Sequence, residues 1–245
     1  MAREDREATM NIPNQPDGRS DNHDNSHDNS HSGDCEHGHG DTHPEAVQFD
    51  RKYWESHWSE RGEERDLPVN PYLPLETADL PVGSALDAGC GEGTEAMWLA
   101  DRGWQVTGVD ISATALAVAE RRSVARGLDA DIAWVGTDIT RWHPARTWDL
   151  VVSSYAHAEI GQLALYRLLS NFVAPGGQLL IVGHLLTETD HGHPVGVTVL
   201  PEDIAELFTG MGWTVEASYR HIRTVWPGDQ PVQLQDAVVR VRSRG

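Results

Sequence analysis

The sequence predicts an α/β fold: a doubly wound, mostly parallel seven-stranded sheet with a C-terminal antiparallel strand. Three observations carry this. Strand patterns alternate with helical patterns through five strands, as in parallel strands joined by crossover helices. "WDLVVSS", from Trp148, is apolar through its centre, as a strand buried on both faces is. The last two strand patterns follow each other with no helix between them, which predicts an antiparallel pair.

The elements follow in order. Residues 1–44 do not read as foldable, because Met10 and Ile12 are almost their only large apolar residues and Asp, Asn, Ser, Gly and His dominate. Such a segment cannot bury enough surface to offset the entropy of ordering, so it is expected to be a disordered tail. Residues 45–245 are expected to form one domain. "PEAVQFDRKYWESHWSER" reads as a helix with Phe49, Tyr53 and Trp54 on one side and Lys52 and Glu55 facing outward. "DLPVNPYLPLETADLPVG" holds four prolines and reads as extended or turning.

Alternation then begins. "SALDAG" is the first strand, and Glu92 to Arg102 a helix ending at Gly103. "WQVTGVD" is the second, followed by a helix capped by Ser112 that runs to about Arg126, with Gly127 after it. "DIAWVG" and "WDLVVSS" are the third and fourth. Leu165, Leu168, Leu169 and Phe172 form one helical stripe, stopped by "APGG" before the fifth strand, "GQLLIVGH". Ile204, Leu207, Phe208 and Met211 repeat that spacing behind Pro201. "WTVEASY" and "LQDAVVRVRS" close the sheet.

Composition narrows the function. The formal charge is −19, much of it in the tail, and no basic run exists. That argues against nucleic acid or an anionic membrane as a partner. The two cysteines, Cys35 and Cys90, rule out a disulfide scaffold. The charged "MAREDREATM" lacks the apolar core of a secretory signal, and no apolar run would span a bilayer. A cytoplasmic enzyme, monomeric or homodimeric, is the expectation.

In doubly wound sheets the ligand sits at the carboxyl ends of the strands, so the residues after each strand carry the information. "LDAGCGEGTEA" ends the first strand in a glycine turn. A P-loop would need Gly-Lys-Ser/Thr, and the only lysine is Lys52. A dinucleotide turn needs G-x-G-x-x-G, whereas Gly89, Gly91 and Gly93 spell G-x-G-x-G, with Thr94 at the last dinucleotide position. Glycines there let a ligand reach backbone N–H groups.

From Phe49 onward the chain resembles the class I S-adenosylmethionine-dependent methyltransferases, whose first motif "LDAGCGEG" matches fully. The resemblance implies a Rossmann-like fold and S-adenosyl-L-methionine as cofactor. It implies that Asp87, with the turn of Gly89, Cys90, Gly91 and Gly93, holds the methionine part. Asp110, followed by Ile111 in "GVDIS", would bind the ribose hydroxyls. Asp138 in "GTDI" would bind the adenine amine, with Ile139 on the ring. The turn near Ser153 and Ser154 would lie beside the sulfonium. An NAD(P)-dependent oxidoreductase stays open, since Asp110 would serve an adenosine ribose equally well, as does a non-catalytic binding protein.

The acceptor is less legible. The Asn/Asp-Pro-Pro-Tyr/Phe tetrad of nucleic-acid amino methyltransferases is missing after the fourth strand, where "SSYAH" stands; "NPYL" at Asn70 lacks the second proline. The chain looks more like the small-molecule branch, which includes thiopurine and tellurite-resistance methyltransferases. A thiol or chalcogen acceptor can react without a base, whereas a hydroxyl needs one. His157 is the candidate base, with a cofactor- or loop-binding role as the alternative. Tyr155 is a candidate to act or to pack. His184, His191 and His193 are candidates for the pocket wall or for plain loop positions, with the loop favoured for the last two. Tyr53, Trp54 and Trp58 either roof the site or form a packing stripe.

In the tail, His23, His27 and His31 stand four apart, and His37, His39 and His43 lie near Cys35. Imidazole and thiol suit Zn or Ni. Asn, Asp, Ser and Gly form helices poorly, so weak, pH-dependent binding is the expectation, with a merely solubilising tail as the alternative.

Overall fold

The computed structural model describes residues 48–60, 68–185, 198–210, 212–225 and 230–245. The tail histidines, His191, His193 and Met211 lie outside them. Seven strands form one sheet in the order β3-β2-β1-β4-β5-β7-β6. They are β1 (Ser84–Ala88), β2 (Gln105–Asp110), β3 (Ile132–Gly136), β4 (Trp148–Ser154), β5 (Val173–Leu185), β6 (Trp213–Val225) and β7 (Val232–Ser243). β1 to β5 pair in parallel, and β7 runs antiparallel to both β5 and β6. The predicted architecture therefore stands, with β6 reaching well beyond "WTVEASY".

The helices are α1 (Arg51–Glu60), α2 (Tyr72–Thr77), α3 (Thr94–Ala100), α4 (Ala113–Ala125), α5 (Gln162–Ser170) and α6 (Pro201–Phe208). Alternation of side chains along each strand divides the core into two layers. Ala85, Val106, Leu150, Val152, Leu180 and Val238 pack with Met97 and Leu99 of α3 and Leu73 of α2. Leu86, Val109, Val151, Leu179, Ile181 and Val239 pack with Leu165 and Leu169 of α5 and Phe208 of α6. Leu150, Val151 and Val152 are all fully buried, as a central strand covered on both faces requires.

Three local expectations need correction. α3 starts at Thr94 and not Glu92, because its N-cap, Gly93, has a left-handed φ of 78°. The proline-rich stretch contains α2. Its Pro74 falls in the first helical turn, where no N–H is owed to the helix. The Asn70 side-chain oxygen accepts from the N–H groups of Tyr72 and Leu73, at 3.0 Å each, and so starts the helix. Glu55 of α1 does not face outward; it reaches the first turn of α4.

The strand order reverses between β1 and β4, which are adjacent. The crevice at their carboxyl ends is where such sheets take a ligand.

Candidate active site

Residues at or just after the carboxyl ends of β1, β2, β3, β4 and β5 converge on one cavity of about 1090 Å³. That exceeds the upper end of the roughly 300–1,000 Å³ usual for one drug-sized ligand, which leaves room for a cofactor and a small second substrate. Ala88 to Glu92, Asp110, Ile111, Asp138, Ile139 and Ser154 to Glu159 lie on its wall.

The glycine turn is shaped by close approach. Gly91 has φ 51°, and a Cβ there would meet the Trp58 ring at 2.7 Å. A Cβ on Gly89 would meet that of Ala156 at 2.6 Å. The turn is thus pressed between α1 and the segment following β4. Asp110 fixes it from the side. One carboxylate oxygen accepts from the Gly91 N–H at 2.8 Å and the other from the Ser112 N–H at 2.9 Å. Asp138 likewise accepts from the N–H and hydroxyl of Thr140, at 2.9 and 2.7 Å, while keeping an edge on the cavity. Both acids therefore brace their own loops as well as face the ligand space.

Asp87 lies beneath the turn, 1 % exposed, and is not part of the wall. Its Oδ2 has no hydrogen-bond partner among the described residues. Burial, then the neighbouring charge of Glu95, pushes its carboxyl well above the usual range. Burial also raises Glu95, which does line the cavity, and Asp110. Three desolvated carboxyls around one turn suit a ligand that brings positive charge, such as an ammonium and a sulfonium. They suit the anionic pyrophosphate of a dinucleotide poorly. Cys90 is 6 % exposed, and burial pushes its thiol up, so it serves as a small apolar neighbour. Ser153 is buried outside the wall, whereas the Ser154 hydroxyl accepts from the Asn70 amide at 2.8 Å.

α1 covers the cavity. His157 has Phe49 and Trp54 against its ring, with centroids 5.2 and 6.4 Å away. Tyr155 has φ 56°, the only positive value at a non-glycine position among the described residues. Its ring stacks on His184 at 4.1 Å. Burial, then the charge of Asp236, raises its phenol far above neutrality, so Tyr155 can donate a proton in a hydrogen bond but does not ionise. His184 lies on the wall and contacts Asp236 through Nδ1 at 3.1 Å.

Asn70, Glu95, Arg223 and Asp236 were not foreseen as site residues. Asp236 is fully buried and accepts from Tyr72 at 2.8 Å and Arg223 at 2.6 Å. Burial alone would raise its carboxyl, but the hydrogen bonds from His184, Arg223 and Tyr72 hold it below the usual range. Only Glu95 had a local signal, as an acid two residues past the glycine turn.

Comparison with known proteins agrees with this geometry. A family model described as a methyltransferase domain matches residues 85–177. An uncharacterised methyltransferase of Mycobacterium tuberculosis is 35% identical over 184 residues, covering 71% of this chain and 87% of that one. A probable thiol methyltransferase of Arabidopsis thaliana is 29% identical over 153 residues, 60% of this chain and 67% of that one. The solved structure of an S-adenosylmethionine-dependent methyltransferase from Thiobacillus denitrificans, in complex with S-adenosyl-L-homocysteine, shares the fold. It superposes with a TM-score of 0.59 at 19% identity, over 81% of this chain and 100% of that one.

Proposed function

Because the chain belongs to the class I S-adenosylmethionine-dependent methyltransferases, we propose that it methylates a small-molecule nucleophile held in the cavity between the glycine turn and α1. The bound cofactor supplies a methyl group on a sulfonium, open to in-line displacement. The protein's part is to align the nucleophile on that axis and to exclude water.

The observation that carries this reading is the set of buried carboxyls, Asp87, Glu95 and Asp110, around the glycine turn. In this assignment Asp87 and the turn of Gly89, Cys90, Gly91 and Gly93 serve the methionine part, Asp87 acting through its charge. Asp110 and Ile111 serve the ribose, and Asp138 and Ile139 the adenine. Ser154 flanks the reacting centre, with Ser153 buried behind the wall. The acceptor lies over Ser154 to His157 beneath α1. Tyr155 donates a hydrogen bond there, and His157 takes a proton from acceptors that carry a hydroxyl. The thiol methyltransferase relative supports a small acceptor.

Calorimetry tests the first step. S-adenosylmethionine should bind and NAD should not. Asp110→Ala should lose one or two charge-assisted bonds to the ribose, roughly 1.5–3 kcal/mol each. Tight NAD binding without S-adenosylmethionine binding would sink the reading. A methyl-release screen of thiols, phenols and chalcogen oxyanions tests the second step. Methylation of nucleic acid or protein alone would overturn the small-molecule assignment.

A further inference from the structure

We propose that Arg223 is the docking point for a carboxylate on the methyl acceptor, placed apart from the acceptor's reacting atom. This rests on the reading above that the same cavity takes the acceptor.

Arg223 stands near the end of β6, opposite Leu234 of β7, and its side chain lines the cavity. Its guanidinium is held from two sides. Nε donates to Asp236 Oδ2 at 2.6 Å, and Nη2 donates to the Tyr155 hydroxyl at 3.2 Å. Among the described residues Nη1 makes no hydrogen bond. A guanidinium has five donors in a planar fork, a geometry that matches a carboxylate.

The brace is built from several parts of the chain. Asp236 is fully buried and is not on the cavity wall, while Arg223 and His184 are. Asp236 also takes the hydroxyl of Tyr72, from α2, and Nδ1 of His184, from β5. Its negative charge is thus engaged behind the wall. Tyr155 reaches Arg223 from a left-handed backbone conformation, which costs free energy and persists only where the surroundings impose it.

The raised carboxyls cluster at the glycine turn, where a cationic cofactor is proposed. The other cavity-lining Arg and Lys residues, Arg51, Lys52 and Arg141, are exposed; Arg223 is only 23 % exposed. A cation prepared in this way fits an anionic handle on the second substrate. A fixed handle would also aim the nucleophile.

The test uses the full-length protein loaded with S-adenosylhomocysteine. 3-Mercaptopropionate and 4-hydroxybenzoate are each titrated calorimetrically against the corresponding neutral amide. At least one acid should bind roughly tenfold or more tighter than its amide, the scale of a charge-assisted bond. Arg223→Gln should abolish that preference. Arg223→Lys, which keeps a charge beside Asp236 and so protects the fold, should reduce it severalfold because the planar fork is lost. No preference in either pair, whether both members bind or neither does, overturns the proposal. So does a preference undiminished in the variants. Failure of S-adenosylhomocysteine to bind the wild-type protein would instead remove the methyl-transfer reading itself.

Discussion

At the residue scale, the legible positions were those whose role is written in neighbouring letters. Asp110 and Asp138 end or follow strands, and both line the cavity. Asn70, Arg223 and Asp236 were not legible, because their partners lie far away in sequence: Asn70 meets Ser154 across 84 positions and Asp236 meets Tyr72 across 164. No spacing rule spans such distances. Asp87 is the informative case, since its motif position was plain but its burial was not. An acid raised by burial keeps its proton longer in the folded chain than in the unfolded one. Its contribution to stability is therefore whole below the unfolded value, near 3.8, and is lost as pH rises through the raised folded value. Above that window Asp87 would be an ionised, desolvated carboxylate beside Glu95, and a cationic cofactor is expected to relieve it. Asp87→Asn should thus raise the melting temperature of the ligand-free protein at pH 8 by about 2–4 °C, for relief on the order of 1 kcal/mol. The same variant should bind S-adenosylmethionine roughly tenfold more weakly. Thermal melts with and without cofactor, from pH 4 to 8, check both. A variant that melts lower at pH 8 and binds cofactor normally would show that Asp87 is structural.

At the element scale, the Ser112 cap and Gly127 located α4 and periodicity located α5, whereas the segment with prolines was misjudged. Four prolines outweigh any apolar pattern when read in sequence, but Pro74 in the first turn costs α2 no hydrogen bond. α1 was legible as a helix, yet its attachment was not. Glu55 accepts from the Ala113 N–H at 2.7 Å, the Thr114 N–H at 3.2 Å and the Ser112 hydroxyl at 3.0 Å. It thereby satisfies donors that α4 leaves open and places a negative charge at its N-terminus. This contact holds α1 across the cavity, with Trp58 on Gly91 and Trp54 against His157. Glu55→Ala should loosen the cover at a cost of about 1 kcal/mol, comparable to losing a helix cap. Hydrogen exchange at residues 51–60 should then speed up, and cofactor affinity should fall about fivefold. Unchanged exchange would mean that aromatic packing alone holds α1.

At the scale of the whole molecule, the sheet was legible because β1 to β4 are short and a helix follows each of β1, β2, β4 and β5, so few topologies are open to it. The order reversal between β1 and β4 then determines where the cavity lies. The first 44 residues are expected to take no part in that logic, since their composition offers a sheet little to bury. They hold His23, His27, His31, His37, His39 and His43, whereas among the described residues no group of three or more His, Cys, Asp or Glu side chains is placed to hold a metal ion. A chain cut to residues 45–245 is therefore expected to keep its melting temperature and its affinity for S-adenosylmethionine. If the tail binds metal, the cut chain should lose that Zn or Ni uptake near pH 7.5, where imidazoles are largely neutral and able to ligate. Equilibrium dialysis with each metal, beside calorimetry with the cofactor, separates the two properties. A truncated chain that unfolds or loses the cofactor would make the tail part of the domain. One that keeps its metal would move the ligands into the domain, with His184, His191 and His193 as the positions to substitute next.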